Sequence, residues 1–77
     1  MVLKKITAPV LSSMHVYANT TLYNRKWDII ANPDDEGFVA NTTAKYALGS
    51  WWYQVKFRRI PKQPYVWIRA EDIRTEY

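Results

Sequence analysis

The chain has 77 residues, no cysteine, and twelve aromatic residues, which make up 16% of the sequence. This length is too short for two ordinary domains, and the absence of cysteine excludes disulfides and cysteine-ligated metal sites. Eleven Lys and Arg against seven Asp and Glu give a net charge of +4, which suits an anionic partner such as nucleic acid, anionic lipid or teichoic acid, and equally a solvated surface that keeps the chain soluble. No run approaches the roughly 20 apolar residues of a membrane span.

Short β-rich runs separated by turn residues dominate the chain, and helical periodicity is nearly absent. The pattern predicts extended segments at residues 3–10, 15–23, 27–31, 38–46, 51–59, 65–69 and 74–77, with one 3₁₀ turn at 70–73. Such a succession of short strands is typical of a small β-barrel. We therefore expect one all-β domain over residues 1–77, with about five to seven short strands.

Turn residues mark the boundaries between these segments. Residues 24–26 and 48–50 are expected turns, and residues 60–64 form a proline-bounded loop. The strongest loop signal is at 32–37, where Asn-Pro is followed by the acidic cluster Asp34, Asp35 and Glu36 and then by Gly37, which permits a positive φ. The tetrapeptide Ala-Asn-Thr-Thr occurs at 18–21 and again at 40–43, which we interpret as coincidence.

Alternation along the strands assigns side chains to the two faces of the sheet. One set is expected to face the core: Trp51, Tyr53, Val55, Phe57, Val66, Ile68 and Ala70. The opposite set is polar, basic or aromatic and is expected to face outward: Trp52, Gln54, Lys56, Arg58, Tyr65, Trp67 and Arg69. Two tryptophans, Trp52 and Trp67, are thus predicted to lie outside the core.

The sequence GSWWYQVKF at 49–57, followed by YVWIRAEDI at 65–73, resembles the second half of bacterial Src-homology-3-like (SH3-like, SH3b) domains, especially the GW modules of Gram-positive surface proteins. Their pattern is a Trp-Tyr-x-Val strand, a loop, a Gly-Trp strand and a short helical turn. The stretch VYANTTLYNRKW at 16–27 resembles their first strand and long loop. The resemblance covers about residues 14–73 and implies an SH3-like barrel. Val66 stands where the family pattern has glycine.

The resemblance further implies a non-catalytic module that binds peptidoglycan or teichoic acid on the cell wall, next to tandem copies or a hydrolase or adhesin domain. Outward aromatic residues suit sugar rings, and cations suit an anionic polymer. The candidate aromatic contacts are Trp52, Trp67, Tyr65, Tyr17, Tyr23 and Trp27. The candidate cationic contacts are Arg25, Lys26, Lys56 and Arg58, with Arg59 and Lys62 beside them. Packing competes with binding at each aromatic position: Trp52 under the 32–37 loop, Trp67 as a staple between sheet and loop.

Two other functions stay open. Basic charge and outward aromatic residues also suit a small cytoplasmic nucleic-acid-binding barrel. An aromatic groove also suits an adaptor for extended or Pro-rich peptides. A wall module would be extracellular as part of a longer secreted protein, whereas a native start at Met1 would favour the cytoplasm.

The residues that catalysis would need are sparse. His15 is the single histidine, and the serines Ser12, Ser13 and Ser50 lack the spacing of a nucleophile elbow or triad. The adjacent carboxylates at 34–36 do not have the separation of a glycosidase pair. One histidine without cysteine also falls short of the multi-ligand zinc sites used in catalysis. We therefore expect no enzymatic activity, no cofactor and no metal site.

Overall fold

The computed structural model describes residues 7–62 and 64–76. The fold is all-β and barrel-like with one 3₁₀ turn, which confirms the predicted fold class. The strands are β1 (His15–Ala18), β2 (Leu22–Tyr23), β3 (Ile29–Ala31), β4 (Glu36–Val39), β5 (Lys45–Ala47), β6 (Ser50–Phe57), β7 (Val66–Arg69) and β8 (Ile73–Arg74), with the 3₁₀ turn at Ala70–Asp72.

The main sheet is antiparallel and curls around strand β6. Its order is β5-β6-β4-β1-β8, and β7 pairs with β6. Both β5 and β4 pair with β6, one along each half of its length, while β7 pairs with residues 52–55. Strands β2 and β3 form a separate hairpin. Strand β6 is therefore the centre of the sheet, because three other strands pair with it.

The core is built from the inward face predicted by alternation. Tyr53, Val55 and Phe57 of β6 are buried, together with Ile68 of β7. Trp51 is partly buried and packs against this cluster. The Tyr53 hydroxyl donates a hydrogen bond to the Pro9 carbonyl at 3.2 Å, and burial raises the pKa of this phenol. The other buried apolar residues are Val16, Ala18, Leu22, Ile30, Ala31, Val39, Ala44 and Ile73.

Gly37 serves close packing rather than a positive φ. It is buried in β4 opposite Phe57, and a Cβ there would lie 2.9 Å from Phe57 Cδ1 and 3.2 Å from the Lys56 carbonyl oxygen. The loop of 32–35 instead takes its left-handed residue at Asp34, with φ 70°. The expectation of a positive φ at Gly37 was therefore wrong, because the strand begins at Glu36, before the glycine.

Two predicted strands are each divided into two. The segment 15–23 is broken between β1 and β2, and the segment 38–46 between β4 and β5. Asn19 occupies the first break, where its side-chain amide donates to the Glu71 carbonyl at 3.0 Å. Asn41 occupies the second break and accepts from the Thr43 backbone N–H at 2.9 Å. The two Ala-Asn-Thr-Thr copies thus mark strand ends, since Asn side chains compete with ladder hydrogen bonds.

The ends of the chain differ from the expected strands. Residues 1–6 of the first predicted strand, and Tyr77 of the last, lie outside the described residues. In the described part of the first segment, Thr7 to Pro9 are irregular and Val10 forms an isolated bridge to Thr43. Strand β8 starts at Ile73, which was predicted to end the 3₁₀ turn. Within the described ranges, no helix has the length and apolar character needed to cross a membrane.

Candidate binding site

An open apolar cleft lies on the outer face of β5, β6 and β7. It has a volume of about 250 Å³ and is lined by Lys45, Ala47, Leu48, Trp52 and Trp67. We call it the tryptophan cleft. Trp67 is 47% exposed and Leu48 is 93% exposed, so the cleft presents apolar surface directly to solvent. Of the predicted aromatic contacts, Trp52 and Trp67 are the two that line this cleft.

Strand register explains why these side chains meet. Lys45 of β5 and Arg69 of β7 both lie opposite Trp52 of β6, and Trp67 lies opposite Gln54 in the next row. Cross-strand and diagonal neighbours on one face are close enough for large side chains to touch. Trp52 and Trp67 are therefore diagonal neighbours on the outer face, as the alternation predicted.

Trp52 is held in place by the β5–β6 hairpin. Its indole Nε1 donates a hydrogen bond to the Ala47 carbonyl at 2.7 Å, which fixes the ring against the hairpin and uses its one polar group. The alternative of Trp52 packing under the 32–37 loop was wrong, because the hairpin rather than that loop covers the ring. Trp52 is half-buried and offers a ligand the remaining ring surface rather than a donor.

The cations beside the cleft differ in their partners. Lys45 Nζ lies 5.7 Å from the Trp67 ring centroid, in range for a cation–π interaction. Within residues 7–62 and 64–76, Lys45 forms no ion pair. Arg69 is engaged with two carboxylates, at 3.5 Å to Glu71 Oε1 and 3.3 Å to Asp72 Oδ2. Lys45 is thus the cleft cation available to an anionic ligand.

Lys45, Ala47 and Leu48 were missed as site residues from the sequence. The turn at 48–49 has φ of 52° at Leu48 and 76° at Gly49, the signs of a two-residue type I′ hairpin turn. Such a turn places Ala47 opposite Ser50 and hence Lys45 opposite Trp52. A prediction of a two-residue turn at Leu48-Gly49 would have placed Lys45 opposite Trp52.

The fold brings the acidic loop and three arginines together. Arg59 Nε lies 2.5 Å from Asp35 Oδ2, and Arg74 pairs with Asp34. Arg58 Nη1 lies 3.7 Å from Glu36 Oε1 and keeps most of its side chain in solvent. These three acid–arginine pairs, which we call the arginine clamp, hold the 32–36 loop.

The clamp also shifts the pKa values of Asp35 and Arg59. The hydrogen bond from the Arg59 guanidinium, with a further one from the Asn32 backbone N–H, holds the pKa of Asp35 below its ordinary value, and the same carboxylate raises the pKa of Arg59. The Arg59 cation is thus already matched by an internal carboxylate. Among the cationic candidates, Arg25, Lys26, Lys56 and Lys62 form no ion pair with the described residues.

The remaining candidates lie elsewhere. Tyr23 and Trp27 belong to the β2–β3 hairpin with Arg25 and Lys26, where the two aromatic centroids are 6.0 Å apart. These four side chains do not line the tryptophan cleft. Tyr65 precedes β7 and is 43% exposed, also outside the cleft lining.

Tyr17 belongs to an aromatic group on the outer face of β1 and β4. The His15 ring stacks on Phe38 and tilts against Tyr17, with both centroid distances 5.1 Å, and Arg74 lies over Tyr17. His15 Nε2 lies 2.6 Å from Glu36 Oε1. Lys56 follows in the row beyond Phe38. Tyr17 is therefore packed with its neighbours on this face.

Within the part of the chain that the structure describes, no group of three or more His, Asp or Glu side chains is arranged to hold a metal ion. Comparison with protein-family models, with curated proteins and with solved structures finds no match to this chain. The functional argument therefore rests on the residues and their geometry.

Proposed function

We propose that the chain is a non-catalytic binding module that holds a cell-wall polymer, peptidoglycan or teichoic acid, in the tryptophan cleft. The observation that carries this proposal is the half-exposed Trp67 beside Trp52 in an open cleft of about 250 Å³. Neither the core nor the hairpin requires Trp67 to be a large aromatic residue. Trp rings in partly desolvated clefts are common energetic centres of binding sites.

The chemistry of the cleft suits a sugar-containing chain. The Trp52 indole N–H is already bonded to Ala47, so the cleft offers ring faces rather than donors at its centre. Polar side chains lie at its margin, with Gln54 opposite Trp67 and Arg69 opposite Trp52. A sugar ring has apolar C–H surfaces and peripheral hydroxyls, which match an apolar centre with a polar margin.

A single positive charge in the cleft suits a polymer with spaced anionic groups. Lys45 is beside Trp67, whereas Arg59 and Arg74 pair with Asp35 and Asp34. A phosphate-bearing wall polymer would therefore meet Lys45 first. Each cleft supplies few contacts, so strong attachment would come from several linked modules.

The resemblance to wall-binding SH3-like modules also supports the proposal. The implied order of Trp-Tyr-x-Val strand, loop, second Trp strand and short helical turn corresponds to β6, residues 58–65, β7 and Ala70–Asp72. The family pattern has glycine at the position of Val66. Val66 is half-buried opposite Val55 and does not line the tryptophan cleft.

The test is co-sedimentation of the full chain with purified Gram-positive cell walls, comparing wild type, Trp67→Ala and Phe38→Ala. Phe38 is a matched control, because it is 46% exposed on the outer face but lies outside the cleft. We expect Trp67→Ala to weaken binding by about 30-fold, as for an interface Trp worth about 2 kcal/mol. We expect Phe38→Ala to bind within about threefold of wild type.

Walls stripped of teichoic acid separate the two polymers: retained binding indicates peptidoglycan, and lost binding indicates teichoic acid. A titration with single-stranded DNA or RNA at low and high salt tests the competing nucleic-acid function. Wall binding that is unchanged in Trp67→Ala, or tight nucleic-acid binding without wall binding, would contradict the proposal.

A further inference from the structure

The tip of the β2–β3 hairpin carries exposed aromatic and aliphatic side chains with two cations between them. Trp27 is 80% exposed, Tyr23 is 49% exposed and Ile29 is 46% exposed. Arg25 and Lys26 are exposed in the turn that joins the strands. No packing role accounts for Trp27 at this exposure.

The backbone holds Trp27 outward in a costly conformation. Trp27 has φ 65°, a left-handed geometry that glycine or asparagine adopts more readily. The Trp27 ring leans on Tyr23, whose strand partner across the hairpin is Ile29. The three exposed apolar side chains are therefore set close together at one end of the hairpin. Strained residues at exposed sites are often retained for function.

Asn24 satisfies the backbone N–H groups of Lys26, Trp27 and Asp28 within the tip. Asn24 Oδ1 accepts hydrogen bonds from the N–H groups of Lys26 and Asp28, at 2.8 and 3.0 Å. The Asn24 carbonyl accepts from Trp27 N–H at 3.0 Å, and Asn24 N–H donates to the Asp28 carbonyl at 2.9 Å. A segment that enters a medium poor in water must satisfy its backbone groups in this way.

We propose that this hairpin tip docks on an anionic lipid surface. Trp27 and Tyr23 would lie at the level of the headgroups, where Trp and Tyr are enriched in membrane proteins. Arg25 and Lys26 would meet lipid phosphates, because they have no ion-pair partner among the described residues. The side chains of the tip are exposed to solvent and do not line the tryptophan cleft. This proposal is independent of the wall-binding function.

Charge complementarity favours lipid of net negative charge. The segment 22–31 carries two cations against one carboxylate, Asp28. A Lys or Arg near an anionic leaflet contributes about fivefold to partitioning. The hairpin base is anchored in the protein by buried Leu22, Ile30 and Ala31, so the tip is presented by a fixed support.

The experiment is vesicle co-sedimentation of the full chain with pure phosphatidylcholine and with phosphatidylcholine containing phosphatidylglycerol. We expect preference for the anionic vesicles, a loss of at least about tenfold in Trp27→Ala, and a loss of about 25-fold in Arg25→Gln/Lys26→Gln. Phe38→Ala is the matched control, since Phe38 is an aromatic residue that is 46% exposed and lies outside both the hairpin tip and the tryptophan cleft. It is expected to bind like wild type.

Circular dichroism of each variant confirms that it remains folded. Trp27→Gly provides a second variant that relieves the left-handed φ and removes the ring, and we expect it to be at least as stable as wild type while losing vesicle binding. The proposal is overturned by failure of wild type to bind anionic vesicles, by equal binding of Trp27→Ala, or by losses in Phe38→Ala that match those in Trp27→Ala. A Trp27-dependent loss of wall binding without vesicle binding would also overturn it.

Discussion

The tryptophan cleft and the arginine clamp both contain residues that the sequence offered as ligand contacts, but their side chains are used differently. In the clamp, Arg59 and Arg74 pair with carboxylates of the 32–36 loop. In the cleft, Trp67 remains 47% exposed. A charged or aromatic residue on the outer face therefore indicates binding only when no neighbour in the fold already satisfies it.

This difference changes how the net charge is interpreted. A charge of +4 favours a polyanionic partner, yet part of that charge faces the acidic loop inside the same molecule. Trp67 contacts Lys45 yet remains 47% exposed, so much of its ring surface is open to a ligand. In the proposed function, apolar surface therefore carries the binding, with Lys45 as an accessory cation.

The largest effect on stability is expected from Gly37→Ala, which alters strand β4 where it pairs with β6. The new Cβ would lie 2.9 Å from Phe57 Cδ1 and 3.2 Å from the Lys56 carbonyl oxygen, so the β4–β6 pairing must shift. We expect a loss of about 1–3 kcal/mol of unfolding free energy, measured by urea denaturation. A stability equal to wild type would show that the strands tolerate a wider separation.

Trp52→Phe is expected to weaken the cleft and leave the clamp intact. The substitution keeps an aromatic ring but removes the donor that bonds the Ala47 carbonyl at 2.7 Å. We expect a loss of about 1 kcal/mol in stability and a smaller loss of wall binding than in Trp67→Ala. Thermal unfolding and wall co-sedimentation measure the two effects. An unchanged melting temperature would contradict the anchoring role of this hydrogen bond.

Lys45→Gln tests whether the cleft cation contributes to binding. It removes the cation–π contact with Trp67 and the positive charge beside the cleft. We expect roughly twofold to fivefold weaker wall binding, and a smaller dependence on salt than in wild type. Lys62→Gln is the control, because Lys62 is exposed and does not line the cleft. Equal losses in the two variants would mean that net charge alone governs binding.

Asp35→Asn is expected to have the smallest effect, a change in stability that is confined to the arginine clamp and leaves the cleft unaltered. The pKa of Asp35 is lower in the folded state than its ordinary value of 3.8, so its ionised form stabilises the fold above that pH. We expect the variant to melt roughly 2–4 °C lower at pH 7. The difference should disappear as the pH falls through the folded pKa. A difference that persists in acid would exclude the charge of Asp35 as its cause.

The fold was predictable where one face of a strand is buried. The alternation of β6 placed Tyr53, Val55 and Phe57 inward and Trp52 outward, because burial fixes the register of such a strand. Strand ends were less predictable. Asn19 and Asn41 interrupt runs rich in β-forming residues. Asn19 bonds to Glu71, which is distant in sequence, whereas Asn41 accepts from the nearby Thr43 N–H, and β-propensity alone indicates neither bond.

The candidate site was predictable in part. Trp52 and Trp67 followed from alternation, whereas Lys45 required the turn type at 48–49. The pairing of Arg59 with Asp35 joins residues 24 positions apart, so no local pattern indicated it. The sequence therefore indicated which side chains face away from the core. The folded chain determines which of these side chains remain available to a ligand.

The most direct test measures wall binding by Trp67→Ala and Arg59→Gln side by side, with both variants confirmed as folded. The account predicts about a 30-fold loss in Trp67→Ala. It predicts a change within about threefold in Arg59→Gln, because that guanidinium is engaged by Asp35. A larger loss in Arg59→Gln than in Trp67→Ala would contradict the claim that the tryptophan cleft, and not the arginine clamp, binds the ligand.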